Sequence, residues 1–168
     1  YRPMMILSFM AEKALWGISP FRLRLSNLLL FILSLLLLYA LFRRYQPSGS
    51  DPFVPRITVL LFALFPLQLD NILWVVGRCD LLMLFFGIAS VLCFDIFLEK
   101  HKPLPAVLAL LCFALALFSK ESALFLLAVY PLHEFLRRRR INPLLYIPPL
   151  ILAGGFWIMK ASVLRSEE

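Results

Sequence analysis

Charge is what this chain has least of. Only 16% of its 168 residues are Asp, Glu, Lys or Arg, while 62% are hydrophobic. Soluble domains carry about a quarter charged residues and about half apolar ones, so the balance is shifted towards lipid. Acids are scarcer than bases, 10 against 17, which leaves a net charge of +7. A basic chain can be a nucleic-acid binder, but here the cations cluster beside apolar runs, the pattern that membrane insertion imposes on loops. Nucleic acid is therefore not expected as a partner. Cysteine is also sparse. Cys93 and Cys112 lie inside apolar runs and Cys79 stands alone in a polar stretch, which excludes a disulfide framework and a zinc site by spacing. No metal site is expected. His101 and His133 sit at the ends of apolar runs and read as solvated side chains. There is no glycine-rich phosphate loop, no Ser-His-Asp set and no heptad or internal repeat. The chain opens on Tyr1 with neither a methionine nor a signal pattern, so it is expected to be a piece of a longer protein.

What the chain has is Leu-rich blocks broken by short charged loops, which predict an all-α fold: a polytopic transmembrane helical bundle of about six spans. Residues 1–24 are apolar but interrupted by Arg2, Glu12, Lys13, Arg22 and Arg24, and predict a helix lying in the membrane interface. Ser26 or Asn27 is placed to cap a first span at 25–42, which Arg43 and Arg44 close. A second span at 57–76 meets Pro66 and is predicted to kink there, with Gln68, Asp70 and Asn71 lining a cavity. Gly77, Arg78 and Cys79 make a turn, and Asp80 can cap a third span at 81–98. The fourth and fifth, 104–118 and 123–136, are joined by Ser119-Lys120-Glu121-Ser122. A hairpin is preferred there to one unbroken helix, because a Lys-Glu pair in mid-bilayer is costly. The sixth, 144–159, contains Pro148, Pro149, Gly154 and Gly155 and is expected to kink.

The loops orient the bundle. Arg43, Arg44, Arg56, Lys100, Lys102 and Arg137 to Arg140 alternate onto one face, which the positive-inside rule makes cytoplasmic. The opposite, outer face has Arg78 and Lys120 in its short loops, and with them the polar residues that need a reason. Asp70, some way into a span, must face protein or water; it either marks the span's wet end or works there. Arg78 with Asp80, and Lys120 with Glu121, read either as local loop pairs or as parts of a site. The argument for a site is convergence, since separate hairpin tips bring acids and bases to one face. Asp95, near the cytoplasmic end of its span, is expected to reach water there. The run Arg137 to Arg140 serves topology and anionic headgroups.

In order along the chain stand Tyr1-Arg2-Pro3, Leu7-Ser8-Phe9, Gly17, Pro20-Phe21 and Asn27. They are followed by Leu61-Phe62-Ala63-Leu64-Phe65-Pro66, Asp70, Trp74, Gly77-Arg78, Asp80-Leu81-Leu82 and Phe118-Ser119-Lys120-Glu121. This series resembles the GT-C glycosyltransferases, in particular the transmembrane-and-TPR O-mannosyltransferases and their bacterial relatives, over nearly the whole chain. There are departures. Arg24, Phe31 and Phe65 stand where relatives often carry histidine, Gln68 replaces another, and Asp70 takes the place of a common Glu. The family's first catalytic aspartate belongs to a loop before Tyr1, and no TPR repeats follow. The resemblance implies a partial GT-C domain over 1–168 in a multi-pass protein of the bacterial inner membrane or the ER membrane. It implies sugar transfer, with inversion, from a polyprenyl (dolichyl or undecaprenyl) phosphate donor to a hydroxyl of a protein or glycan acceptor on the outer or lumenal face. Asp70 would be the catalytic carboxylate within the chain. Arg78 and Lys120, with Asp80 and Glu121, would hold the lipid phosphate. Membrane lipids are the remaining expected partners. A transporter or lipid-handling protein without chemistry is the alternative, since it too uses kinked helices and polar groups at depth.

Overall fold

The computed structural model describes residues 2–165 apart from 18, 48, 50, 139 and 140. Tyr1 of the first motif, Ile18 of the expected interfacial segment, Ser48 and Ser50 between the first two expected spans, and Arg139 and Arg140 of the basic run thus lie outside the described residues. The regular elements are helices: α1 Pro3–Trp16, α2 Pro20–Tyr45, α3 Phe53–Ala63, α4 Leu67–Leu73, α5 Arg78–Lys100, α6 Pro103–Ser119, α7 Leu126–Arg138 and α8 Ile147–Arg165. Short 3-10 turns at Val75–Gly77, Glu121–Phe125 and Pro143–Tyr146 precede α5, α7 and α8.

Proline sets several of the boundaries. Pro3, Pro20 and Pro103 open α1, α2 and α6, where the missing N–H would have had no helical partner. Starting at Pro20, α2 begins before the expected Ser26 or Asn27 cap, and both those residues are inside it. Pro66 separates α3 from α4, because its ring and absent N–H cannot continue α3. Pro148 and Pro149 behave differently from expectation. They fall in the first turn of α8, where no backbone bond is lost, and the helix runs unbroken from Ile147 to Arg165.

Three stretches are long and apolar enough to cross a membrane: Pro20–Tyr45 and Val75–Lys100, each of 26 residues, and Pro143–Val163, of 21. At 1.5 Å per residue the longer two reach about 39 Å, more than a hydrocarbon core. α3 and α6 are shorter apolar helices. α7 contains Pro131 and carries His133, Glu134 and Arg137. Leu29, Leu36, Leu61, Leu108, Leu111, Ile151 and Ile158 are exposed, a breadth of apolar surface that suits lipid and not water.

Contacts fix the helix directions. Asn27 of α2 meets Arg78 at the start of α5, and Arg44 of α2 meets Asp95 near its finish, so α2 and α5 run the same way. α7 joins them, because Arg137 also reaches Asp95. α6 runs against α5, with the Ser90 hydroxyl donating to the Ala109 carbonyl and Lys120 meeting Asp80. Phe113 of α6 lies edge-on to Tyr130 of α7, their ring centroids 5.8 Å apart, and the chain reverses between them at Lys120. The core joins these helices through Val91, Phe94, Phe113, Leu117, Leu126, Tyr130 and Phe156. Small residues such as Ser90, Ala109 and Ala116 let backbones approach there, where packing and not water drives association. The bundle therefore has a head end, where α5 begins, and a foot end, where it finishes.

Candidate functional site

At the head end, the 3-10 turn Val75–Gly77 delivers the chain into α5, and Arg78 is the first residue of that helix. Its guanidinium is buried, with 1% of the residue exposed. Nε donates to Asn27 Oδ1 at 2.8 Å and Nη2 to the Leu23 carbonyl at 3.1 Å. Nη2 also forms an ion pair of 2.8 Å with Glu12 Oε1 of α1, and the guanidinium carbon lies 4.6 Å from the centre of the Phe9 ring. Asn27 is buried as well, and its amide donates to the Trp74 carbonyl at 3.2 Å, tying α2 to the turn that precedes Arg78. A guanidinium desolvated in this way holds only with such partners, since losing the anion leaves a buried charge uncompensated.

Two residues further on, Asp80 leaves α5 on another side. Instead of capping the helix it lies in the first turn, where a carboxylate is favoured by the helix dipole, and pairs with Lys120. Both side chains of that pair are 29% exposed, so solvent reaches them. Glu121 pairs with Lys160 of α8, whose ammonium lies 5.3 Å from the Trp157 ring centre. The hydrogen bond from Lys160 holds the Glu121 carboxyl below its ordinary value, against the opposing effect of burial. Arg78 and Lys120 thus both have acidic partners, but not the sequence neighbours: Arg78 pairs with Glu12 and Lys120 with Asp80. Arg2, Glu12, Asn27 and Lys160 belong to this end although their spacing along the chain did not announce it.

Cys79 is not in an open loop. It lies in the first turn of α5, 1% exposed, where Arg2 Nη1 donates to its Sγ at 3.1 Å and its thiol donates to the Val76 carbonyl at 3.1 Å. Asp70 stands apart from the charge cluster. It is on α4, at the same end, exposed, and its side chain makes no hydrogen bond or ion pair among the described residues.

The foot end holds a second charged network, which sequence reasoning missed. Asp95, wholly buried, accepts from Arg137 Nε at 2.8 Å and Nη2 at 3.2 Å, from His133 Nε2 at 3.0 Å, and from Arg44. With Nε2–H given to Asp95, His133 Nδ1 is left to accept from the Tyr45 hydroxyl. Arg44 also meets Glu99. His133 is therefore buried between α2, α5 and α7, not solvated, and Asp95 faces three cations or donors instead of water. The only signal in the sequence was an acid several residues inside an apolar run, opposite a His and an Arg four apart on another helix.

With the geometry in hand, the chain can be compared with known proteins. No family model and no solved structure matches it. Over 83 residues, 49% of its length, it is 35% identical to protein O-mannosyl-transferase TMTC1 of Mus musculus. That stretch is 8% of the mouse protein, so the chain spans a small part of the length of this curated relative.

Proposed function

Starting from that partial likeness to an O-mannosyl-transferase, we propose that the chain is the head-end charge cluster and surrounding helices of a membrane glycosyltransferase. The donor is a polyprenyl-phosphate-linked sugar, the acceptor a hydroxyl, and the head end faces outside or into the lumen. α2, the α3–α4 pair, α5, α6, α7 and α8 are six crossings, with α1 in the interface. Alternation of helix direction and the basic residues at the foot end support this arrangement.

In the reaction the acceptor oxygen bonds to the anomeric carbon as the bond from that carbon to the lipid-phosphate oxygen breaks, with inversion. The acceptor proton passes to a carboxylate base, and the departing phosphate keeps the electron pair and needs cations. The observation that carries the reading is the Asp80–Lys120 pair, a partly exposed ammonium held in place at the head end by a carboxylate from another helix. Lys120 is the contact for the departing phosphate, with Asp80 and Glu121 orienting the two lysines. Arg78 is in the same first turn of α5, on another side of the helix. Asp70, unpartnered and exposed on α4, orients the acceptor.

The test is transfer rate against lipid-donor concentration in reconstituted full-length protein. Lys120→Ala should lose about 2–4 kcal/mol of transition-state stabilisation, roughly 30- to 1000-fold in rate. Asp70→Asn should lose transfer while melting at the wild-type temperature, because its side chain has no partner to lose. Wild-type donor dependence in Lys120→Ala would reduce the cluster to loop charges.

A further inference from the structure

α1 hides Arg78, a second head-end cation beside the one that the proposed chemistry uses. Arg78 is buried because Glu12 and Phe9 lie over it. A carboxylate on a guanidinium occupies the same fork of N–H donors that a phosphate would. Glu12 fits that seat poorly, since its Oε2 is buried and has no hydrogen-bond partner among the described residues. A buried oxygen left unsatisfied opposes the closed arrangement. Arg78, in contrast, keeps independent partners on α2 in Asn27 and the Leu23 carbonyl, so it stays in place without α1.

Beyond that pair, α1 packs against α5 and α6 with few polar ties. Its other described polar tie to the head of α5 is the hydrogen bond from Arg2 to the Cys79 sulfur, a weak acceptor. Ile6, Leu7, Met10 and Leu15 face away from the bundle and are exposed, as suits a helix that keeps its apolar face in the membrane interface. At its end stands Gly17 with φ 75°, a left-handed conformation that needs glycine and suits a pivot.

We propose that α1 is a displaceable cover, and that Glu12 holds the seat of an anion on Arg78 which a lipid-linked phosphate takes when α1 moves away about Gly17. The identity of the anion rests on the glycosyltransferase reading; the cover itself does not. The exchange is non-covalent, one anion replacing another on the same guanidinium.

Cys79, shut beneath Arg2, reports the opening. The experiment is alkylation by N-ethylmaleimide of the full-length protein in lipid nanodiscs, with peptide mass spectrometry following Cys79, Cys93 and Cys112 separately. In both Glu12→Gln and Glu12→Ala, Cys79 should react about tenfold faster or more, since loss of the buried pair raises the open population. Cys93 and Cys112, in the bundle, should keep their wild-type rates. Undecaprenyl phosphate in the nanodiscs should speed Cys79 in the wild type and add nothing in Glu12→Gln, whereas undecaprenol should have no effect in either. The proposal is overturned if Cys79 keeps its wild-type rate in both variants, or if all three thiols speed up together, which would make α1 a structural part of the fold. It is equally overturned if the phosphate has no effect or if the alcohol matches it. None of these readings needs turnover. Phosphate-dependent opening in a protein that transfers no sugar would overturn only the transferase reading, and sugar transfer with Cys79 indifferent to Glu12 would overturn only the cover.

Discussion

Gly77 is held by space and not by backbone conformation. A Cβ built there would lie 2.5 Å from the Asn71 carbonyl oxygen and 2.7 Å from the Asn71 Cα, both backbone atoms that cannot turn aside. Its φ of −60° is open to any residue. The close approach is what lets α4 fold back on the start of α5 and set Arg78 against Asn27. Gly77→Ala should therefore cost about 1–3 kcal/mol, as overpacking does. This would be read as a lower melting temperature in detergent, and a variant that melts with the wild type would show that the turn has room to shift. Several candidate residues were legible at this scale because they are charged in an apolar neighbourhood: Arg78, Asp80, Lys120 and Glu121. Their partners were not. Glu12 and Lys160 stand 66 and 39 positions from Arg78 and Glu121 in the sequence, and no local pattern links such pairs. Asp95 and His133 were misread because isolated ionisable residues near span ends ordinarily reach water, whereas here each satisfies the other.

The α5–α6 hairpin is the central packing unit, and its register is testable without new residues. Cys93 of α5 and Cys112 of α6 are both free, half-buried thiols in this hairpin and interact across it. Mild oxidation with copper phenanthroline should join them, and cleavage after Lys100 and Lys102 should then leave two peptides that separate only on reduction. Peptides that separate without reductant would mean that α5 and α6 meet in another register. The next turn shows how charge ends a helix in this setting. Lys120 is extended, with φ −157° and ψ 136°, and its ammonium leaves for Asp80, so the two charges at 120 and 121 sit at the head end and not within an unbroken helix. The prolines of α8 teach the reverse. Proline in an apolar run suggests a kink, but position within the helix decides, and the first turn tolerates it.

On the scale of the whole molecule, the proposal places the two ends on opposite sides of a membrane. Ser122, exposed at the head end, and Lys102, exposed at the foot end, are suitable reporters. In intact cells or sealed ER vesicles, Ser122→Cys should react with an impermeant maleimide only from the outer or lumenal side, and Lys102→Cys only from the cytoplasm. The opposite pattern would invert the orientation and remove the head end from any outward-facing chemistry. Cys79 is unsuited to this measurement because α1 covers it.

By itself the amino-acid sequence determined that the chain is helical and made for lipid, where the apolar runs stop, and which charges stand at the turns. Those properties follow from the composition of contiguous stretches, which the cost of exposing polar backbone to hydrocarbon reads directly. Only the tertiary structure decided which charges are partners and which are hidden. The pairings Glu12–Arg78, Lys120–Asp80 and Lys160–Glu121, and the convergence of Arg44, His133 and Arg137 on Asp95, join helices far apart in the chain. They depend on how helices rotate about their own axes when they pack, and in an apolar helix many rotations bury nearly the same surface. The few polar side chains select among them, because a buried charge without its partner is too costly to keep.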